Sequence, residues 1–146
     1  MKSQRFGIEI EMTGLTRRSA ALIIAKHFDT GFRHERGVYD TYSVCDQDGR
    51  KWKIVRDASI TPQCGNRFDY DPDYKVEVVS PICHYEDIET IQSIVRELRR
   101  NGHAKVNESC GIHIHVDASK HTARSLRNIA NIMYSKEDLI LSLIHI

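Results

Sequence analysis

Apolar and polar positions alternate with period two in several stretches of the chain, and in three of them one face carries acidic or imidazole side chains. In the stretch from Phe6 to Met12, Phe6, Ile8, Ile10 and Met12 fall on one face, while Glu9 and Glu11 fall on the other, about 6.6 Å apart along the strand this pattern predicts. A second alternation runs from Cys110 to Asp117, with Ile112, Ile114 and Val116 opposite His113, His115 and Asp117. Between them, residues 74–80 read as a strand in which Glu77 interrupts the β-branched run Val76, Val78 and Val79, which Pro81 stops.

Other stretches repeat at helical spacing. Thr16 can cap a helix built on Ala20, Ile23, Ile24, His27 and Phe28, ended by Gly31. Ile88, Ile91, Ile94, Val95 and Leu98 predict a helix over residues 86–100, with Asn101 and Gly102 as its stop. Ser119 can cap a last helix whose inner face uses Ala123, Leu126, Ile129, Ala130 and Met133. Residues 38–45 and 51–57 read as strands of a hairpin around Asp46-Gln47-Asp48-Gly49, and residues 64–74 as a loop. This order predicts an α+β fold, an antiparallel sheet with amphipathic helices on one face and a site on the other. Glu9, Glu11, Glu77 and His113 are expected on that open face, with Ile8, Ile10, Ile112 and Ile114 packed beneath.

Composition narrows this picture. With 146 residues and 40% hydrophobic content the chain can bury one modest core. A formal charge of +1 offers no basic footprint for nucleic acid. No stretch is apolar for long enough to span a bilayer, and residues 1–5 contain no apolar signal core, so the expected location is cytoplasmic, with no membrane partner. Cys45, Cys64, Cys83 and Cys110 form no C-x-x-C pair and are read as reduced thiols, mostly small buried apolar groups. Oligomeric state is not legible from these features.

Like charges as close as Glu9 and Glu11 repel unless a cation lies between them, and a divalent metal is the simplest answer. Carboxylates with one or two imidazoles suit Mg2+ or Mn2+, and Mg2+ keeps positions open for phosphate oxygens. No P-loop or G-x-G-x-x-G turn is present, so any ATP would be held through metal and side chains. Other readings stay open at this point. Glu9 and Glu11 could be solvated carboxylates, and Glu77 could pair with Lys75. His113 and His115 could hold zinc in a metal-dependent hydrolase with Glu9 or Glu11 as general base, or the domain could bind metal without catalysis.

Phe-Gly-Ile-Glu-Ile-Glu at 6–11, Trp52 with Asp57-Ala58-Ser59, Glu77-Val78-Val79-Ser80-Pro81 and the 110–116 strand occur in the order seen in amidoligases. The chain therefore resembles that family, which is related to glutamine synthetase and glutamate-cysteine ligase. The resemblance implies a glutamine-synthetase-like catalytic domain and an ATP-dependent ligase that phosphorylates a carboxylate and lets an amine attack the acyl phosphate. Its partners would be carboxylate and amine substrates, such as amino acids or peptides, and its cofactors ATP and Mg2+, with Mn2+ as the alternate metal. By analogy, Glu9 and His113 would bind one metal, Glu11 and Glu77 another, and His115 the nucleotide phosphates, with Asp57 and Ser59 as catalytic-motif residues of undefined role.

The family's later metal carboxylate and arginines have no counterpart after the His-x-His strand. Residues 6–140 are accordingly expected to be a partial catalytic domain, inactive as given. The tail 141–146 reads like the translated end sequence of a transposon-based sequencing library, which marks it as a non-native tail; its other reading is the last turns of an apolar helix.

Overall fold

A computed structural model describes residues 3–65, 67, 68 and 70–144. They form two compact units, within residues 1–116 and 117–146.

The first unit runs β1 (Phe6–Met12), α1 (Arg17–His27), β2 (Phe32–Arg36), β3 (Thr41–Cys45), β4 (Lys51–Val55), β5 (Gln63–Cys64), β6 (Arg67–Phe68), β7 (Val76–Val79), α2 (Ile88–Gly102) and β8 (Ile112–Val116). Six strands make one sheet in the order β2-β3-β4-β7-β1-β8, with each neighbouring pair antiparallel. The fold is thus α+β. β5 and β6 form a separate small hairpin.

Alternation decides which residues the helices cover. Met12, Trp52, Ile54, Val76 and Val78 project from one face of the sheet into a core shared with Ala20 and Ile24 of α1 and Ile91, Ile94 and Leu98 of α2. Thr16 accepts from the Ser19 N–H and so caps α1 as its sequence predicts. The two helices approach closely at Gly102, where a Cβ would lie 2.8 Å from the side chains of Ile23 and Leu15. Beside them Arg17, only 3% exposed, is neutralised by Asp40 at 2.6 Å and Asp73 at 2.8 Å. This pairing ties α1 to the turns that precede β3 and β7.

Several expectations are corrected. Ile112 and Ile114 are each 64% exposed and do not pack beneath the site, because β8 is the edge strand while α1 lies over β2, β3, β4 and β7. The 38–45 strand is shorter, since residues 37–40 turn with positive φ at Gly37 and Asp40, and its unforeseen partner is β2. Phe32-Arg-His-Glu-Arg has too few apolar positions to declare a strand, and pairing with β3 supplies what local pattern lacks. Cys45 and Cys64 are exposed rather than buried, and only Cys83 is fully covered.

The second unit contains α3 (Ala123–Ser135) and α4 (Glu137–Ile144). The cap of α3 is Thr122, in a reciprocal box with Ser125, whereas Ser119 donates to Asp117 one turn earlier. Of the suspected tail, residues 141–144 continue α4, and His145 and Ile146 lie outside the described residues. No helix among the described residues is long and apolar enough to cross a membrane.

Candidate functional site

The register places the polar side chains of three adjacent strands side by side. Glu11 lies opposite Glu77 across β1 and β7, and Glu9 opposite His113 across β1 and β8, with His115 opposite Gly7. Side chains two residues apart share a face, so Glu9, Glu11, Glu77, His113 and His115 all stand on the face turned away from the helices.

Asp57 joins them from β4. Val55 pairs with Glu77, so a chain that leaves β4 in extended form delivers residue 57 to the same face. Glu11, Asp57 and Glu77 each offer an oxygen atom, and the three atoms lie within 4.8 Å of one another. Glu11 is only 6% exposed, and its Oε2 accepts a 2.6 Å hydrogen bond from the Gly111 N–H. Its Oε1 lies 3.4 Å from His113 Nε2, and Glu9 Oε2 lies 3.2 Å from His115 Nε2.

The loop that carries Asp57 is tied down on several sides. Asp57 Oδ1 accepts from both the hydroxyl (2.7 Å) and the N–H (2.6 Å) of Ser59. Lys75 Nζ donates to the Ala58 carbonyl at 2.7 Å, which occupies the cation that sequence pairing offered to Glu77. Farther along, the Thr61 N–H donates to Ser109 Oγ, and Asn107 Nδ2 donates to the Thr61 carbonyl. Together these bonds connect the Asp57 loop to the segment that enters β8.

Crowding shows in the protonation of the carboxylates. Burial, reinforced by Glu9, Asp57 and Glu11 and opposed by His113, pushes the Glu77 carboxyl up to about 7. Asp57 is held below the usual carboxylate range, first by the Ser59 hydroxyl and then by the Ser59 N–H. The ionised form is thus favoured at Asp57 and disfavoured at its neighbour Glu77. Such a set of hard oxygen donors fits a divalent cation, which would relieve that repulsion.

Ser59 donates to Asp57 and is not itself among the clustered donors. The imidazoles of His113 and His115 face different carboxylates, and neither belongs to the clustered trio. Gly111 was missed as a functional position because its contribution is a backbone N–H. A signal existed in the register, since Glu11 continues the β1–β8 pairing that places residue 111 opposite it. Asp57 stood in a motif without a defined role, and strand register brings it beside Glu11 and Glu77.

A family model described as "putative amidoligase enzyme" matches residues 2–146. No curated protein and no solved structure matches the chain.

Proposed function

The chain belongs to the putative amidoligase enzyme family, and on that footing we propose that it provides the metal-binding face of an ATP-dependent ligase joining a carboxylate to an amine. The observation that carries this reading is the meeting of Glu11, Asp57 and Glu77 within 4.8 Å on one sheet face. In the proposed reaction the γ-phosphoryl group of ATP passes to the substrate carboxylate, giving an acyl phosphate and ADP. The amine then attacks the acyl carbon, forms the C–N bond, expels phosphate and loses a proton. ATP use places this activity in the cytoplasm in this proposal.

Glu11, Asp57 and Glu77 would hold Mg2+, with Mn2+ as the alternate ion. When bound, that cation supplies positive charge toward which phosphate oxygens are drawn. Gly111 helps fix the Glu11 carboxylate, its N–H engaging Oε2 while Oε1 lies 3.4 Å from His113 Nε2. Ser59 donates to Asp57 Oδ1 through its hydroxyl and its N–H, which favours the ionised form of Asp57. Glu9 and His115 flank the cluster as a pair, and His115, 65% exposed, is assigned to the nucleotide phosphates. A zinc hydrolase built on His-x-His finds less support, because the two rings address Glu11 and Glu9 separately.

The test uses the product of the intact source gene, incubated with ATP, Mg2+ and pooled amino acids and peptides. Amide and ADP should form in equal amounts and both should disappear in Glu11→Gln. ATP-independent hydrolysis that survives this substitution and needs zinc would contradict the ligase reading.

A further inference from the structure

Asp57 differs in its support from the two carboxylates it meets. Glu11 and Glu77 face each other across β1 and β7, so the ladder fixes both, whereas Asp57 lies two residues beyond the end of β4 and depends on its loop for its place. Two turns of the same design meet along that loop. In one, Asp57 Oδ1 accepts from the N–H and hydroxyl of Ser59; in the other, Asn107 Oδ1 accepts from the N–H and hydroxyl of Ser109 at 3.0 and 2.6 Å. The second turn also reaches across to the loop. Asn107 Nδ2 donates to the Thr61 carbonyl at 2.9 Å, and the Thr61 N–H donates to Ser109 Oγ at 2.8 Å. A closed ring of hydrogen bonds results, from Thr61 to Ser109, on to Asn107 and back to Thr61.

This ring selects the side chain at position 107. The Ser109 N–H can only donate and the Thr61 carbonyl can only accept, so the group between them must present an acceptor and a donor side by side. An amide does so. A carboxylate would keep the turn but set an oxygen lone pair against the Thr61 carbonyl. The segment that begins at Asn107 ends in Gly111, whose N–H holds Glu11, so the ring sets the support of Asp57 against the support of Glu11. We propose that Asn107 is a positioning residue for the cation site, holding the Asp57 loop against the entry of β8 and so keeping the Asp57 carboxylate beside Glu11. This inference rests on the metal-binding reading above. Asn107 is not one of the clustered donors and acts through Thr61. Residues that orient a metal ligand commonly contribute about tenfold or more to affinity, and Asn107, acting through the loop, is expected to contribute about three- to tenfold.

The experiment measures Mn2+ affinity by electron paramagnetic resonance in the wild type, Asn107→Asp and Ser109→Ala, each with and without Asp57→Asn. Circular dichroism checks each fold, and amide hydrogen exchange at Thr61 is followed in the metal-free proteins. Asn107→Asp keeps the acceptor for Ser109 and adds a negative charge that by itself favours a cation, yet Mn2+ should bind about three- to tenfold more weakly because the donor to Thr61 is gone. Ser109→Ala breaks the same ring from its other side and should act in the same direction. In the Asp57→Asn background either loss should shrink to less than about twofold, since no carboxylate remains there to be placed. Exchange at Thr61 should quicken in both variants. Unchanged Mn2+ affinity in both variants, or unchanged exchange at Thr61, would overturn the proposal. An equal loss with and without Asp57→Asn would overturn it too, by assigning Asn107 to the fold alone. These outcomes leave the metal reading standing, whereas failure of Mn2+ to bind the wild type would overturn that reading and this inference with it.

Discussion

Glu77→Gln should make the metal-free protein more stable, and only at neutral and higher pH. Burial and the neighbouring carboxylates Glu9, Asp57 and Glu11 raise the folded-state value of Glu77 from 4.5 to about 7. An acid that is harder to ionise when folded penalises the folded state once it is ionised. Its cost is absent below the unfolded value near 4.5, grows as pH rises through the interval, and is complete above about 7. The full shift corresponds to about 3 kcal/mol, and solvent screening of this half-buried group reduces the expected cost to about 1–2 kcal/mol. Glutamine keeps the shape and removes the charge. In urea titrations with EDTA, the variant should therefore exceed the wild type by about 1–2 kcal/mol at pH 8 and match it near pH 4.5. Adding Mn2+ should shrink this difference by about 1.3 kcal/mol or more at pH 8, because a ligand at about 100 times its dissociation constant stabilises the wild type by about 2.7 kcal/mol but a variant that binds tenfold more weakly by only about 1.4 kcal/mol. Equal stability at pH 8, or a less stable variant there, would refute the claim that these carboxylates crowd one another.

Arg50 bridges the β3–β4 turn to the start of α2, donating to Asp46 at 2.9 Å and in two bonds to Asp87 at 2.9 and 3.0 Å. Arg50→Ala should lower stability at pH 7 by about 2 kcal/mol, measured from the urea midpoint, because the buried Asp46 loses its cation. Arg50 holds Asp87 below its usual range, so this contribution is present above the unfolded value near 3.8 and lost as pH falls below it; the two proteins should converge in acid. Gly14→Ala should cost about 2 kcal/mol or more, since Gly14 sits at φ +85° and an added Cβ would lie 2.8 Å from the His103 carbonyl oxygen. Thermal unfolding gives that figure, and an unchanged midpoint would show that the β1–α1 turn can relax.

Much of the site face was legible because strand alternation is a local property. Glu9-Ile10-Glu11 and His113-Ile114-His115 announce which side chains travel together, and burying Met12, Val76 and Val78 settles which face they take. Local pattern does not contain the pairing of strands distant in sequence. The closeness of Asp57 to Glu11 and Glu77 therefore appears only once β4 is set against β7. β2 escaped notice for the same reason, its charged sequence being held by its neighbour. Ile112 and Ile114 show the opposite error, in which alternation implied a buried face but the edge position of β8 left it uncovered. The caps followed the same division, with Thr16 predicted from its local sequence and Thr122 preferred over Ser119 because it can close a box with Ser125.

The central claim is that Glu11, Asp57 and Glu77 hold one divalent cation, and Mn2+ binding followed by electron paramagnetic resonance tests it most directly. The wild type should remove Mn2+ from the free signal with one saturable site, and Glu11→Gln, Asp57→Asn and Glu77→Gln should each weaken that site by about tenfold or more. Mn2+ binding that is unchanged across all three variants, with their folds intact by circular dichroism, would contradict the account.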